Sequence, residues 1–403
     1  SMEKQRTKQS IDGNAYSRPK HTHDARIAET GPGTPCGEFM RRYWQPIEIS
    51  GRLRERPRKI RILSEELVLF RDLSGRPGLV TPRCAHRGAD LYYGKVDENG
   101  IRCPYHGWHY DVEGRCLDQP CEPQDSTHKN RVRQPWYPVE ELYGLVWAYL
   151  GPPEKKPVLP HWDLFEDLKP DEKIVPDAAT YSVGGDETEE IIPWNWMQDW
   201  ENTMDPHHVY ILHSGFSGLQ FTPNMAIKQD VNWEYTPLGM KYTSLRDLGD
   251  GRMVERILPV MLPNARSVPN IQLTDGRAES IGWLVPVDDR HHRTFHVTRM
   301  PKDFEGVPLV TAPILPKPWS EMTEDERWAT PGDWEVQKSQ GPITLHSEEH
   351  LASSDKGVVM LRHLLKKQIR IVQEGGDPIG ITFESEEARR EVGSGNFYRE
   401  LTP

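Results

Sequence analysis

CAHRGADLYYGKVDENGIRCPYHGW, residues 84–108, places Cys-x-His ahead of Cys-x-x-His with one intervening segment. Cys84, His86, Cys103 and His106 are the residue types that hold transition metals. Structural zinc favours Cys-x2–4-Cys and His-x3–5-His, with like ligands paired in sequence. Here each short loop supplies one thiolate and one imidazole. A two-iron cluster with chemically distinct irons suits that arrangement, two thiolates on one iron and two imidazoles on the other. Replacing thiolates by neutral imidazoles removes negative charge and raises the reduction potential. Gly88 and Gly107 stand where a chain must turn tightly around such a group. Structural zinc and four ordinary loop and core positions are the competing readings.

Around this stretch, from about 45 to 150, the pattern is of short strands. "KIRIL", "ELVLF" and "GLVWAYL" are rich in β-branched, aromatic and leucine residues, and "DLSGRPG" and "DVEGR" carry turn chemistry. The motif therefore lies on two loops of a small all-β region. Upstream, Thr34 is a helix N-cap with Pro35 at the first helical position. Residues 1–30 are polar and mixed in charge, expected as a flexible tail or an arm packed on a neighbour. Downstream, "GPPEKKPVLP" (151–160) is a Pro-rich charged break. It divides the chain into a tail (1–30), a cluster domain (31–155) and a second domain (156–403). In the second domain, "NWEYTPLGMKYTSL" and "RMVERILPVML" flank "GDG", and "SIGWLVPVDD" precedes "HRTFHVTRM", giving two expected hairpins. Val358, Leu361, Leu365, Ile369 and Val372 recur at helical spacing before Gly375 and Gly376. The fold class is α+β.

The chain has 403 residues and a formal net charge of −11, which argues against a nucleic-acid binder. No apolar run reaches the roughly 18 residues of a membrane span, and no secretory signal pattern opens the chain. Five cysteines do not resemble a disulfide framework, so a reducing cytoplasm is the expected compartment. No Gly-x-Gly-x-x-Gly follows a predicted strand, so no nicotinamide or flavin domain is evident.

A cluster that passes single electrons activates no substrate alone, so a second redox site is expected. "WENTMDPHHVYILH" offers Glu201, Asn202, Asp205, His207, His208 and His213. On a regular helix, residues five apart point about 140° away from each other. His208 and His213 converge only if the helix is distorted or ends between them.

"CAHRG" with "CPYHGW" resembles the Rieske [2Fe–2S] signature of bacterial ring-hydroxylating oxygenases. Respiratory Rieske proteins carry an extra disulfide cysteine in each loop and a Ser after the second His-Gly. Here those positions are Ala89, Tyr105 and Trp108, which places the potential toward the low end of the Rieske range. Residues 201–213 resemble the family's Glu-Asn-x-x-Asp-x-x-His-x4-His iron motif. The resemblance makes His208 and His213 ligands of a mononuclear Fe(II), and leaves His207 on a variable position. "GDWEVQKSQGP" (332–342) is similar to the segment supplying the third, carboxylate ligand, which points to Asp333, with Glu335 and Asp325 as alternatives. Two imidazoles and a carboxylate form a facial triad that leaves iron positions open. By the same resemblance Asn202 lies near the iron, and Asp205 hydrogen-bonds an iron-binding His and, across a subunit boundary, His106. The alternative for Asp205 is a helix cap beside Pro206.

The resemblance spans residues 31–375. It implies a Rieske β-domain followed by a helix-grip (START-like) catalytic domain, a head-to-tail homotrimer, and electrons from a separate NAD(P)H-dependent reductase, possibly through a ferredoxin. "GPGTP…RRYWQPI" and "QKSQGP…EEHLASSD" look like the phthalate-dioxygenase-like branch, which includes 5,5′-dehydrodivanillate O-demethylase-type oxygenase components. The implied reaction is O-demethylation or monohydroxylation of a lignin-derived aromatic acid, with ring cis-dihydroxylation as the alternative. An electron-transfer protein with a dead second site is the alternative of another class. Residues 260–273 are expected in the pocket wall, where Arg266 is a candidate carboxylate partner by charge and planar fork; a surface arginine is its plainer reading.

Overall fold

The computed structural model describes residues 13–215, 218–306, 308 and 317–401. Residues 1–12 of the expected tail lie outside the described residues.

The first half is built from three small antiparallel sheets. One holds Trp44–Ile49, Leu145–Tyr149 and Val139–Leu142; another holds Arg58–Ile62, Glu65–Arg71, Pro77–Val80 and Trp136–Tyr137. The third, Lys95–Asp97, Gly100–Arg102, His109–Tyr110 and Cys116–Asp118, carries the second cluster loop. The second half is dominated by a nine-stranded antiparallel sheet. Its long hairpins, Gly239–Asp247 with Arg252–Met261 and Ser280–Asp288 with His291–Pro301, are the two expected from sequence. The whole is α+β.

The sheet packs on the helix Lys356–Gln373, whose Leu361, Leu365 and Ile369 are buried in one core with Tyr242, Leu258 and Trp283. That core also takes in Trp44, Ile47, Leu67 and Trp147 of the first half. Trp147 meets Trp283 edge to face at 5.0 Å, locking the halves together. The Pro-rich break is accordingly no free tether: Pro157 accepts from Trp44 Nε1, Val158 N–H donates to Thr382, and Leu159 is buried.

Thr34 caps the helix Pro35–Met40 by accepting from Gly37 N–H, as its sequence dictates. The preceding arm differs from its expectation as a tail or a neighbour's partner. Asp24 caps a short helix, Ala25–Ala28, and Ile27 and Ala28 are fully buried against their own chain. Ile27 and Ala28 supply the apolar part of that docking.

Candidate active site

The cluster loops are two copies of one turn. Cys84 N–H donates to the carbonyl of Ala89 (2.9 Å) and Gly88 N–H to that of Cys84 (2.8 Å). Likewise Cys103 N–H donates to Trp108 (2.9 Å) and Gly107 N–H to Cys103 (2.9 Å). Gly88 and Gly107 close these turns at φ +83° and +75°, values that side chains rarely adopt. A Cβ on Gly88 would sit 2.5 Å from the Arg83 guanidinium, and one on Gly107 3.0 Å from Pro120. Buried Gln134 staples the first loop, accepting from Ala85 N–H and donating to the carbonyls of Thr81 and Arg83.

Cys84 and Cys103 are buried above a core that includes Trp108 and Tyr110, while the His86 and His106 rings pair at 4.5 Å. Exposed Ala85, Arg87, Pro104 and Tyr105 surround the imidazoles. Trp108, in the position of the respiratory Ser, stacks on His86 at 4.2 Å. Tyr110 Oη lies 3.1 Å from Cys84 Sγ. These donors fit a cluster of more than one metal. Among the described residues, the only three-residue group whose donor atoms lie within 4.8 Å of one another is elsewhere, so the four do not converge on one zinc-sized point. His106 Nδ1 is buried without a hydrogen-bond partner, an orphan that an inward-facing iron would satisfy.

The group that does converge is His208, His213 and Asp333. The helix Trp196–Asn202 ends, the chain turns at Asp205, and a second helix, Pro206–Leu212, stops one residue before His213. This ending turns His213 back toward His208. Asp333 arrives as the first residue of the helix Asp333–Ser339. Asp333 Oδ2 lies 3.1 Å from His213 Nε2, and Oδ1 lies 3.5 Å from His208 Nε2. Neighbouring octahedral positions around an ion with bonds of roughly 2.1 Å are about 3 Å apart, so the set fits a facial triad. Burial raises the Asp333 pKa, but positive charge at the facing His213 and His208, together with the Asn202 hydrogen bond, outweighs it and holds the carboxyl well below its usual range.

Each imidazole is oriented from behind. His208 Nδ1 donates to the carbonyl of Asp205, and His213 Nδ1 donates to Gln220 Oε1 (2.9 Å). Both Nε2 atoms are thereby left as lone-pair donors toward Asp333. Gln220 is itself fixed by donating to Pro331 (2.9 Å). Asn202 Nδ2 donates to Asp333 Oδ1 (3.1 Å) and stands 3.3 Å from His208 Nε2, beside the triad as expected.

The other expected residues fall differently. Glu335 is occupied by Gly332 N–H and Trp319 Nε1, and Asp325 is exposed. His207 lies outside the triad, its ring 6.0 Å from Trp233. The Asp205 carboxylate caps the second helix, accepting from His207 and His208 N–H; the imidazole of His208 is held by its carbonyl instead. Arg266 is no surface residue. It is 7% exposed on the strand Ala265–Arg266, lines the cavity, and pairs with Asp199 at 2.8 Å. Asp199 in turn accepts from His292 Nε2 (2.9 Å).

A cavity opens on the triad, walled by Val209, Phe221, Met225, Leu258, Val268 and Ile271 and by polar Asn202, Arg256, Arg266, Ser280 and His296. Of residues 260–273, Arg266, Val268 and Ile271 line this cavity. Gln220, Tyr110 and Arg256 were not foreseen. Arg256 alone left a signal: it alternates with Val254 and Leu258 on the inward face of its strand.

A Rieske cluster domain joined to a His₂-carboxylate cavity defines an iron oxygenase subunit. Residues 43–138 match the Rieske [2Fe-2S] domain family. The chain is 50% identical over 389 residues to the phenoxybenzoate dioxygenase subunit alpha of Ectopseudomonas oleovorans, covering 96% of this chain and 94% of that one. It is 32% identical to the 5,5′-dehydrodivanillate O-demethylase oxygenase subunit of a Sphingobium species, covering 88% and 82%. The structure of Pseudomonas putida CBB5 NdmA with caffeine superposes with a TM-score of 0.64 at 21% identity, over 88% of this chain and 99% of that one. The chain belongs to the Rieske non-haem iron oxygenase α subunits.

Proposed function

We propose that the chain oxygenates an aromatic acid bearing an ether oxygen. It would use dioxygen and electrons from a separate reductase, directly or through a ferredoxin. The observation that carries this reading is the apolar cavity opening on His208, His213 and Asp333. Support for the substrate class comes from the relatives' names. Phenoxybenzoate is a diaryl ether acid, and an O-demethylase acts on a methyl ether.

In this reading Cys84, His86, Cys103 and His106 hold the cluster and His208, His213 and Asp333 hold Fe(II). When bound, these groups supply single electrons and the activation of dioxygen. The protein's own part is placement. Asn202, Gln220 and the Asp205 carbonyl fix the three ligands, and the apolar walls hold an arene against them while limiting water.

Oxygenation of a diaryl ether at the ring carbon bearing oxygen and its neighbour adds both atoms of dioxygen, one to each carbon, with two electrons and two protons. The resulting hemiketal breaks its C–O bond to give a phenol and a catechol. The second reading, favoured by the demethylase relative, inserts one oxygen into a methoxy C–H with the same electrons and protons. It gives phenol, formaldehyde and water.

The division at about residue 155 and a head-to-tail trimer belong to the same proposal. Among the described residues no hydrogen bond, ion pair or ring contact joins the cluster loops to the triad. The cluster imidazoles instead sit at an exposed tip, suited to a neighbour's catalytic half.

The test is turnover of the reduced holoenzyme with a compatible reductase on 3- and 4-phenoxybenzoate and on methoxybenzoates. Phenol with a dihydroxybenzoate is the expected product. Formaldehyde moves the assignment to demethylation, and a cis-diol retaining the ether moves it to ring dihydroxylation. No turnover on any aromatic acid with three irons per chain overturns the substrate class. Two irons per chain would instead indicate an electron-transfer protein.

A further inference from the structure

The strand Arg252–Met261 sends Val254, Arg256 and Leu258 to the inner face of the sheet, and Arg256 and Leu258 line the catalytic cavity. Arg256 is 4% exposed, so its charge is removed from water. Nη1 donates to the Asn270 carbonyl (3.1 Å) and to Asn396 Oδ1 (2.9 Å), and the Tyr242 hydroxyl is a further partner; none of the three is a carboxylate. No ion pair reaches it among the described residues.

On the adjacent strand, Gly239–Asp247, Ser244 stands opposite Arg256, and Arg246 follows on the same face. Arg246 is 1% exposed and, among the described residues, donates to Ser244 Oγ (3.1 Å) alone and leaves its Nε buried without a hydrogen-bond partner. Burial, with the Arg256 guanidinium adding to it and Tyr242 opposing it, pulls the Arg246 pKa down to about 10, and burial likewise lowers that of Arg256. Two adjacent buried cations without an acid are costly unless a counter-charge arrives.

Arg266, the third arginine of this region, is different. Its Nη1 is held by Asp199 Oδ1 (2.8 Å) and Thr203 Oγ1 (3.3 Å). The protein supplies Arg266 with a carboxylate and withholds one from Arg256. A guanidinium presents a planar fork that matches a carboxylate, and the charge-assisted bonds are strongest where water is excluded.

We propose that Arg256 is the carboxylate-binding residue of the cavity, with Arg246 adding to the positive field behind it. The substrate's acid group docks at Arg256 and its ether carbon faces the triad. This rests on the aromatic-acid reading above. It adds which residue recognises the acid, and it excludes neutral arenes as preferred ligands.

The test measures dissociation constants by calorimetry on the anaerobic holoenzyme, using 3-phenoxybenzoate and uncharged 3-phenoxybenzyl alcohol. Wild type should favour the acid by roughly 100-fold, the order expected for a desolvated charge pair. In Arg256→Gln that ratio should fall to near one. Should that variant not fold, Asn396→Asp places an internal acid beside the guanidinium and should collapse the ratio in the same way. Retention of the wild-type ratio in the folded variant overturns the assignment to Arg256 and leaves the aromatic-acid reading standing. A wild-type ratio near one, with both probes bound, overturns carboxylate recognition altogether. Binding of neither probe overturns the substrate reading and this inference with it.

Discussion

Gln220 grips one imidazole with one amide atom and the backbone with the other: Oε1 accepts from His213 Nδ1 and Nε2 donates to Pro331. His213 is only 1% exposed, so no water replaces that acceptor easily. Removing such an outer partner lowers metal affinity by roughly 10- to 100-fold. Gln220→Ala should therefore lose iron on dialysis down to about two irons per chain, with the cluster's visible absorption unchanged. Full retention of three irons would show that His213 needs no such support. Cys84, His86, Cys103 and His106 stood out as candidates in the sequence because their spacing is local, whereas His208 and His213 did so only through the family resemblance, since residues five apart diverge on a regular helix. Asp333 lies 120 residues beyond His213, and Glu335 and Asp325 matched it in chemistry; the convergence of Asp333 on both imidazoles, the occupied Glu335 and the exposed Asp325 separate them. Gln220 depends on partners brought together by loops, so no local pattern marks it; strand alternation turns Arg256 inward, but its role depends on partners that the sheet assembles.

The hairpins and the C-terminal helix were legible because their apolar residues recur at strand and helix periods. The arm around Ala25–Ala28 was not, since its docking rests on polar atoms far along the chain. Asp24 N–H donates to His346 Nδ1 (2.8 Å), Thr22 N–H donates to Ser347 Oγ (2.8 Å), and the Asp24 carboxylate pairs with Lys366 (2.9 Å). Nδ1 of His346 must be unprotonated to accept. Burial, reinforced by the Arg362 guanidinium and His23 against the opposing Glu349 and Asp24, pulls the His346 pKa down to about 4. The undocked histidine titrates near 6.5, so it binds the proton more readily than the docked one. Docking stability from this group is complete above about pH 6.5 and is lost as pH falls toward 4. Amide exchange at Ile27 and Ala28, corrected for intrinsic pH dependence, should be roughly tenfold faster at pH 5 than at pH 7. His346→Gln, which keeps an acceptor but cannot titrate, should flatten that difference. Equal corrected rates in the native chain would remove His346 from the docking.

At the scale of the assembly the question is how an electron leaves the cluster tip for the triad. Asp205 is the candidate bridge, with two tasks in the structure and a third in the proposed trimer. Its carbonyl orients His208, its Oδ1 caps the helix Pro206–Leu212, and its remaining charge is what the proposed trimer would direct at a neighbour's His106. Within the chain His106 has its Nδ1 buried, which leaves Nε2 for the outer edge of the ring. Asparagine caps a helix about as well as aspartate, and a substitution leaves the carbonyl in place. Asp205→Asn therefore removes the charge while keeping the helix and His208. The variant should retain three irons per chain and a normal cluster spectrum. Reoxidation of the reduced cluster in a single turnover, followed by stopped-flow absorption, should slow by roughly 100-fold or more. An unchanged rate would take Asp205 out of the relay and reduce it to a helix cap. Loss of the third iron would show instead that its charge supports the triad within its own subunit.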